Sequence, residues 1–340
     1  MCTSAWGRPA ANRGATRPWR LPGLGSSGRP ALVLLATLIG TLAGTGCDPG
    51  LNRHPPSQEL RDAPGAPLSE ERRTDHRGGQ VAYLALRDLG ATGSAPTLVL
   101  IHGWASTRLA WEGLLDEERA TTLLAERRML VIDLPGHGAS SPLPEDVPYS
   151  LAELASAVVS VLEAEEVERA ILVGHSNGTP VAMQVLHRAA ERVAAVVAVD
   201  GAVVPVATRD MVEPMLEKLR GEDAAATVEG MVRGMAGQAF DEETTAALVE
   251  MTASVDRRAL VESVESAADA SHWGNQPVTV PLLLVLAEQP TWDETYRTRV
   301  AEIAADATWI VWPDTNHFLQ LQRPDEFVAA VDGWLREQGL

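Results

Sequence analysis

The chain has 340 residues, 45% of them hydrophobic, and a formal net charge of -18 at pH 7, so it holds enough apolar material for a full core in one large domain or two small ones. That acidity, with no basic stripe interleaved with aromatics, repels polyanions and argues against nucleic acid as a partner. The two cysteines, Cys2 and Cys47, lie at or before the end of the N-terminal leader, which leaves the folded body no disulfide framework, zinc knuckle or cysteine nucleophile.

Residues 1–30 are rich in Arg, Gly, Pro and Ser and lead into the apolar run 31–43. A run this short does not span a bilayer as a helix, which takes about 20 residues. Arginines ahead of it and small residues behind it give the layout of a signal peptide, assigned to residues 1–46. The run closes on Leu42-Ala43-Gly44-Thr45-Gly46-Cys47, which resembles the bacterial lipoprotein signal, with Gly44 where that signal prefers leucine. The resemblance implies cleavage before Cys47, lipid on that cysteine, and an exported lipoprotein anchored on the extracytoplasmic side of a membrane. An ordinary cleaved signal or an uncleaved anchor is the alternative. Residues 47–78 carry Pro49, Pro55, Pro56, Pro64 and Pro67 among charges and read as an extended tether without secondary structure; His54 and His76 fall in or near it.

The body starts near Gly79. Residues 81–86 read as a first strand, and Thr97-Leu98-Val99-Leu100-Ile101 is the continuous apolar run of a strand buried on both faces. It runs into His102-Gly103-Trp104. A helical segment over 110–127 follows, then a strand at 129–132 and the turn Asp133-Leu134-Pro135-Gly136-His137-Gly138. Ser150 caps a helix over 151–164, and the apolar run Ala170-Ile171-Leu172-Val173 precedes Gly174-His175-Ser176-Asn177-Gly178. The next strands fall at 194–199, ending on Asp200, and, some eighty residues later, at 282–287. Four helical patterns lie between them, near 208–220, 224–235, 242–254 and 257–270. A strand at 308–311 and an amphipathic helix at 324–337 close the chain. This alternation predicts an α/β fold, a mostly parallel sheet with helices on both faces. Residues 79–204 and 281–340 form its core, and the helices over 205–280 are inserted as a cap.

A G-x-S-x-G between a buried strand and a helix has the setting of a nucleophile elbow, in which a strained turn lifts the serine clear of the sheet. The turn requires glycine at its outer positions because side chains there would meet neighbouring backbone. The helix behind it, with Pro180 in its first turn, points its positive end at Ser176 and offers the Asn177 amide to a developing oxyanion. The same five residues outside that setting would be a surface loop.

Four motifs in order, His102-Gly103-Trp104, Asp133 to Ser140, Gly174 to Gly178 and Asn316-His317-Phe318, make the chain from about residue 79 onward resemble an α/β-hydrolase with a helical cap. The resemblance implies acyl transfer by a serine, a carboxylate and a histidine. Ser176 is then the nucleophile and His317, just after the last strand, its base. His102, His137 and His175 sit in backbone-dense motifs and read as structural, whereas His187 and His272 carry no sharper signal than surface or core. The acid is divided: the usual pattern after strand 282–287 places Pro290 where an aspartate is expected, leaving Asp200 at the preceding strand end as the first choice, with Asp293 and Glu288 as alternatives. The oxyanion hole is expected from the backbone amides of Trp104 and Asn177, with the Trp104 indole lining an acyl pocket or merely packing its loop. A dehalogenase or epoxide hydrolase of this fold would carry aspartate in place of Ser176. No glycine-rich nucleotide fingerprint and no clustered metal ligands appear, so neither cofactor nor metal is expected.

The function expected from these residues is a serine hydrolase cleaving an ester, thioester or related acyl bond of a small to medium apolar substrate. Met211, Met215, Met231, Met235 and Met251 in the cap point to an apolar pocket, although methionines at helical spacing equally form core. Perhydrolysis and carbon–carbon bond hydrolysis use the same triad. The competing class is a binding or receptor protein on the same scaffold, for which the displaced acid is the main support.

Overall fold

One sheet of eight strands carries the rest of the molecule in the computed structural model, which describes residues 69–86, 95–115, 117–124, 127–274 and 276–340. The strands are β1 (Ser69–His76), β2 (Gly79–Leu86), β3 (Thr97–Ile101), β4 (Met129–Ile132), β5 (Ala170–His175), β6 (Val193–Val199), β7 (Leu282–Ala287) and β8 (Thr308–Trp312). Their order across the sheet is β1-β2-β4-β3-β5-β6-β7-β8. β1 and β2 run antiparallel to each other and β2 runs antiparallel to β4; every pairing from β4 to β8 is parallel.

The central strands are buried at every position except Ala194 of β6, which explains why they read as apolar runs instead of alternating ones. One face packs Leu98, Leu100, Ile171, Val173, Val197 and Val285 against Trp111, Phe327, Val331 and Leu335. The helices are α1 (Glu117–Leu124), α2 (Leu151–Ala164), α3 (Gly178–Arg188), α4 (Arg209–Arg220), α5 (Ala224–Ala236), α6 (Glu242–Met251), α7 (Arg257–Ala267), α8 (Glu294–Ile303), α9 (Leu319–Gln322) and α10 (Pro324–Glu337). α2 and α3 pack on each other, and α3 lies against β5 and β6. α4 to α7 are inserted between β6 and β7. Among the described residues no helix is long and apolar enough to cross a membrane. The signal segment, Cys47 and the tether up to residue 68 lie outside the described residues.

Two expectations are corrected, and one helix is added. The last part of the 47–78 tether is a strand: β1 pairs with β2 along its full length. Charges hide it, because an edge strand takes polar side chains where a central one cannot. Arg72 reaches from it to the buried carboxylate of Glu165, which also receives Arg128 and the Tyr83 hydroxyl. His76, grouped with the tether, contacts Glu153 and Ser160 through its ring nitrogens. The helix expected over 110–127 is instead a 3₁₀ segment, Arg108–Leu114, capped by Thr107, followed by α1. α8 had no counterpart in the sequence pattern, since Tyr296 and Val300 are its only buried residues and leave almost no apolar period to read.

Candidate active site

β5 ends at His175, and the chain turns within three residues into α3. Ser176 sits at that turn with φ 52°, in the left-handed region that a non-glycine residue adopts only when its surroundings enforce it. Its amide donates to Val199 O at 2.9 Å and its carbonyl accepts from Thr179 N at 3.0 Å, while the Thr179 hydroxyl donates to Gly174 O at 2.7 Å. A Cβ at Gly174 would lie 2.5 Å from Gly178 O, and one at Gly178 would lie 2.4 Å from Ile101 O on β3. Both glycines are therefore demanded by backbone that cannot give way.

The loop after β3 passes beside this turn. A Cβ on Gly103 would lie 2.8 Å from Ser176 Cβ. The amides of Trp104 and Asn177 make no hydrogen bond among the described residues, and both residues are half-buried. The Trp104 indole is not left over to line a pocket through its polar edge: Nε1 donates to Leu260 O of α7 at 2.9 Å.

His317 lies between β8 and α9, and its Nδ1 donates to Asp200 Oδ2 at 2.7 Å. Asp200 follows β6, has φ 39°, and is 3% exposed. Its carboxylate receives four further contacts: Ala287 N at 2.9 Å and Trp292 Nε1 at 3.2 Å reach Oδ1, and the Gln289 side-chain amide lies 3.3 Å from each oxygen. Donors from three residues besides His317 fix the orientation of this buried carboxylate. Asp293 does something else: its side chain accepts from Tyr296 N at 2.8 Å and caps α8. Glu288 is exposed. Of the three carboxylates weighed from sequence, the fold brings Asp200 to the imidazole.

His175 approaches His317 from the other side. Its Nε2–H donates to His317 O at 2.8 Å, and the two ring centroids are 4.8 Å apart. Burial pushes its pKa down to about 3, and the neighbouring His317 adds to the effect; its Nδ1 has no partner among the described residues. His102 is likewise buried, with Nδ1 donating to Gly103 O and Nε2 accepting from Leu134 N, and its pKa falls to about 4. His137 donates to Pro135 O, and burial followed by the charge of His102 brings it to about 3. All three are neutral structural donors at neutral pH. The Ser176 hydroxyl has no hydrogen bond to the His317 ring among the described residues; in such sites this contact is commonly long until substrate is bound.

Sequence reading missed Trp292 and Gln289 as partners of Asp200, and nothing in their local pattern announces the role. It also missed a second Ser-His-Asp grouping. Ser266 Oγ lies 2.9 Å from His272 Nδ1, whose Nε2 is 3.8 Å from Asp269, in a groove of about 690 Å³ lined in part by Ser150, Arg209 and Glu262. Ser266 is 4% exposed, lies within α7, and accepts Leu151 N at 3.0 Å, so its hydroxyl serves packing. Among the described residues no three His, Cys, Asp or Glu side chains gather as a metal site.

A family model described as "Alpha/beta hydrolase family" matches residues 98–330. The dihydrolipoyllysine-residue acetyltransferase component of the acetoin cleaving system of Pseudomonas putida is 25% identical over 267 residues, covering 74% of this chain and 66% of that protein. The pimeloyl-(acyl-carrier protein) methyl ester esterase of Aeromonas hydrophila is 36% identical over 107 residues, covering 32% of this chain and 38% of that protein. The chain thus spans less than two thirds of the length of either relative. Among solved structures, the enol-lactonase from Burkholderia xenovorans LB400 aligns with a TM-score of 0.65 at 20% identity, covering 78% of this chain and all of that one, a likeness of fold.

Proposed function

Because the chain belongs to the alpha/beta hydrolase family, we propose that it is a serine hydrolase that cleaves an ester, thioester or related acyl bond through an acyl-enzyme. Ser176 attacks the carbonyl carbon while His317 Nε2 accepts its proton, and the Trp104 and Asn177 amides donate to the oxyanion. Collapse of the tetrahedral adduct expels the leaving group, which takes its proton from His317. Water then attacks the acyl-enzyme, with His317 again the base, and releases the acid and free Ser176. Asp200 holds Nδ1–H toward itself, so that Nε2 is the basic nitrogen, and stabilises the imidazolium.

The observation that supports this reading most is the 2.7 Å bond from His317 Nδ1 to a buried carboxylate that also receives Ala287, Gln289 and Trp292. It also removes the main support for a receptor on this scaffold, which was the lack of an acid in the usual place. The proposed substrate is small to medium and apolar, entering beneath α4 to α7 acting as a cap. The proposed location is the extracytoplasmic face of a membrane, through lipid on Cys47.

Fluorophosphonate labelling, followed by p-nitrophenyl esters of graded acyl length, tests the reading. Wild-type protein is expected to label and turn over, and Ser176→Ala to do neither while keeping its fold; labelling of Ser176→Ala at the wild-type level would remove the serine from the mechanism.

A further inference from the structure

The residue immediately before His317 is the one through which the outer part of the helical insert grips the sheet-bearing part of the molecule. Asn316 Nδ2 donates to Ala236 O at 2.5 Å. Ala236 is the last residue of α5 and fully buried, so its carbonyl is one of those a helix end leaves without an intrahelical donor. The other end of the same side chain accepts: Phe318 N donates to Asn316 Oδ1 at 2.8 Å. That contact closes a turn around His317, and Gln322 Oε1 fixes the Asn316 amide at 2.8 Å. One carboxamide therefore shapes the backbone that carries the imidazole and holds the end of α5.

The insert is fastened unevenly. α7 is riveted down: Arg258 donates to the Leu143, Pro144 and Val147 carbonyls, Glu262 accepts Tyr149 N, Ser266 accepts Leu151 N, and Trp104 reaches Leu260 O. α4 to α6 are tied mainly to the rest of the insert, through Arg257 to Leu219 O and Arg209 to Glu265. Among the described residues the Asn316 contact is the one hydrogen bond joining 209–251 to the sheet-bearing part. A segment held at one hinge side and one distal point moves about the hinge when the distal point is released.

We propose that Asn316 is a positioning residue that couples α4 to α6 to His317: when the Ala236 contact is made the imidazole loop is held in place, and when it is broken the outer insert and the loop loosen together. The consequence for turnover rests on the serine-hydrolase reading; the coupling does not. Asn316→Ser separates the two jobs, because a serine hydroxyl still accepts from the amide two residues on and is too short to reach Ala236 O.

Hydrogen exchange on the full chain reads the coupling directly. In Asn316→Ser we expect faster exchange both in 314–320 and in 224–237, with α7 unchanged. For p-nitrophenyl butyrate we expect kcat to fall about tenfold and KM to change less than about twofold, as misplacement of a group already bound to its substrate would give, with the pH midpoint of kcat/KM unmoved. Because serine keeps the acceptor for Phe318 N, uncoupled segments would show faster exchange in 224–237 alone or in neither, with 314–320 at the wild-type rate, and that result, or unchanged kcat, would overturn the proposal. If Asn316→Ser does not fold, Asn316→Asp keeps the acceptor, sets an oxygen against Ala236 O, and carries the same exchange test. A wild type without esterase activity would overturn the hydrolase reading alone, since exchange in 314–320 and 224–237 together would still decide the coupling.

Discussion

Trp292 donates its indole N–H to Asp200 Oδ1 at 3.2 Å, so the segment after β7, where this family commonly places the acid, here serves a carboxylate on the neighbouring strand. Pro290 opens a 3₁₀ turn that carries Trp292 inward, and Gln289 joins it at the same carboxylate. The carboxylate that meets His317 thus lies one strand earlier, and the segment after β7 supplies its donors.

Asp200→Asn therefore should cost about 10⁴ in turnover, because an amide in that place can present its N–H₂ to the imidazole and favour the wrong tautomer. Asp293→Asn is the control: asparagine caps a helix as well as aspartate does, so both rate and stability should stay near wild type. Steady-state kinetics on the two variants decide the matter, and a crippled Asp293→Asn beside an active Asp200→Asn would return the acid to the later strand.

Trp104→Phe keeps the ring and removes the donor to Leu260 O. Loss of that bond leaves a helical carbonyl that already has its own helix partner, so stability should fall by only about 1 kcal/mol. If the Trp104 amide serves the oxyanion, kcat should drop more than KM rises. Urea unfolding alongside kinetics separates the two effects, and a pure KM effect would make the indole a substrate contact only.

The buried imidazoles predict a pH dependence of stability. Burial brings the folded pKa values of His102, His137 and His175 to about 4, 3 and 3, against an ordinary value of 6.5. Between those limits the unfolded chain binds protons that the folded chain refuses, so stability is full above pH 6.5 and falls as pH is lowered toward 4. Three such groups give a slope approaching about 4 kcal/mol per pH unit near pH 5. Urea midpoints at pH 7, 6 and 5 measure it; a flat profile would mean that these rings titrate normally and are not sealed.

Cys47 is predicted to carry lipid. Wild-type protein expressed in a bacterial host should fractionate with membranes and incorporate a palmitate analogue, and Cys47→Ser should do neither. Unlabelled wild-type protein in the soluble fraction would leave an ordinary cleaved signal.

The order of the central strands' apolar runs, the glycine-framed turn at Ser176 and the position of His317 could be read from the chain because each depends on neighbours in sequence. A strand buried on both faces must be apolar throughout, and a turn this tight must be flanked by glycine. β1 escaped notice because an edge strand is free to be charged, and α8 because a helix with two buried residues leaves no period. Which carboxylate meets His317 was decided only in three dimensions. Asp200 and Asp293 both follow apolar strands, and the choice rests on β6 and β7 lying side by side, so that Ala287, Gln289 and Trp292 turn their donors toward Asp200 while Asp293 is drawn off to cap a helix. The grip of Asn316 on Ala236 has the same origin, since eighty residues of chain separate them and no local pattern encodes where the end of an inserted helix comes to rest.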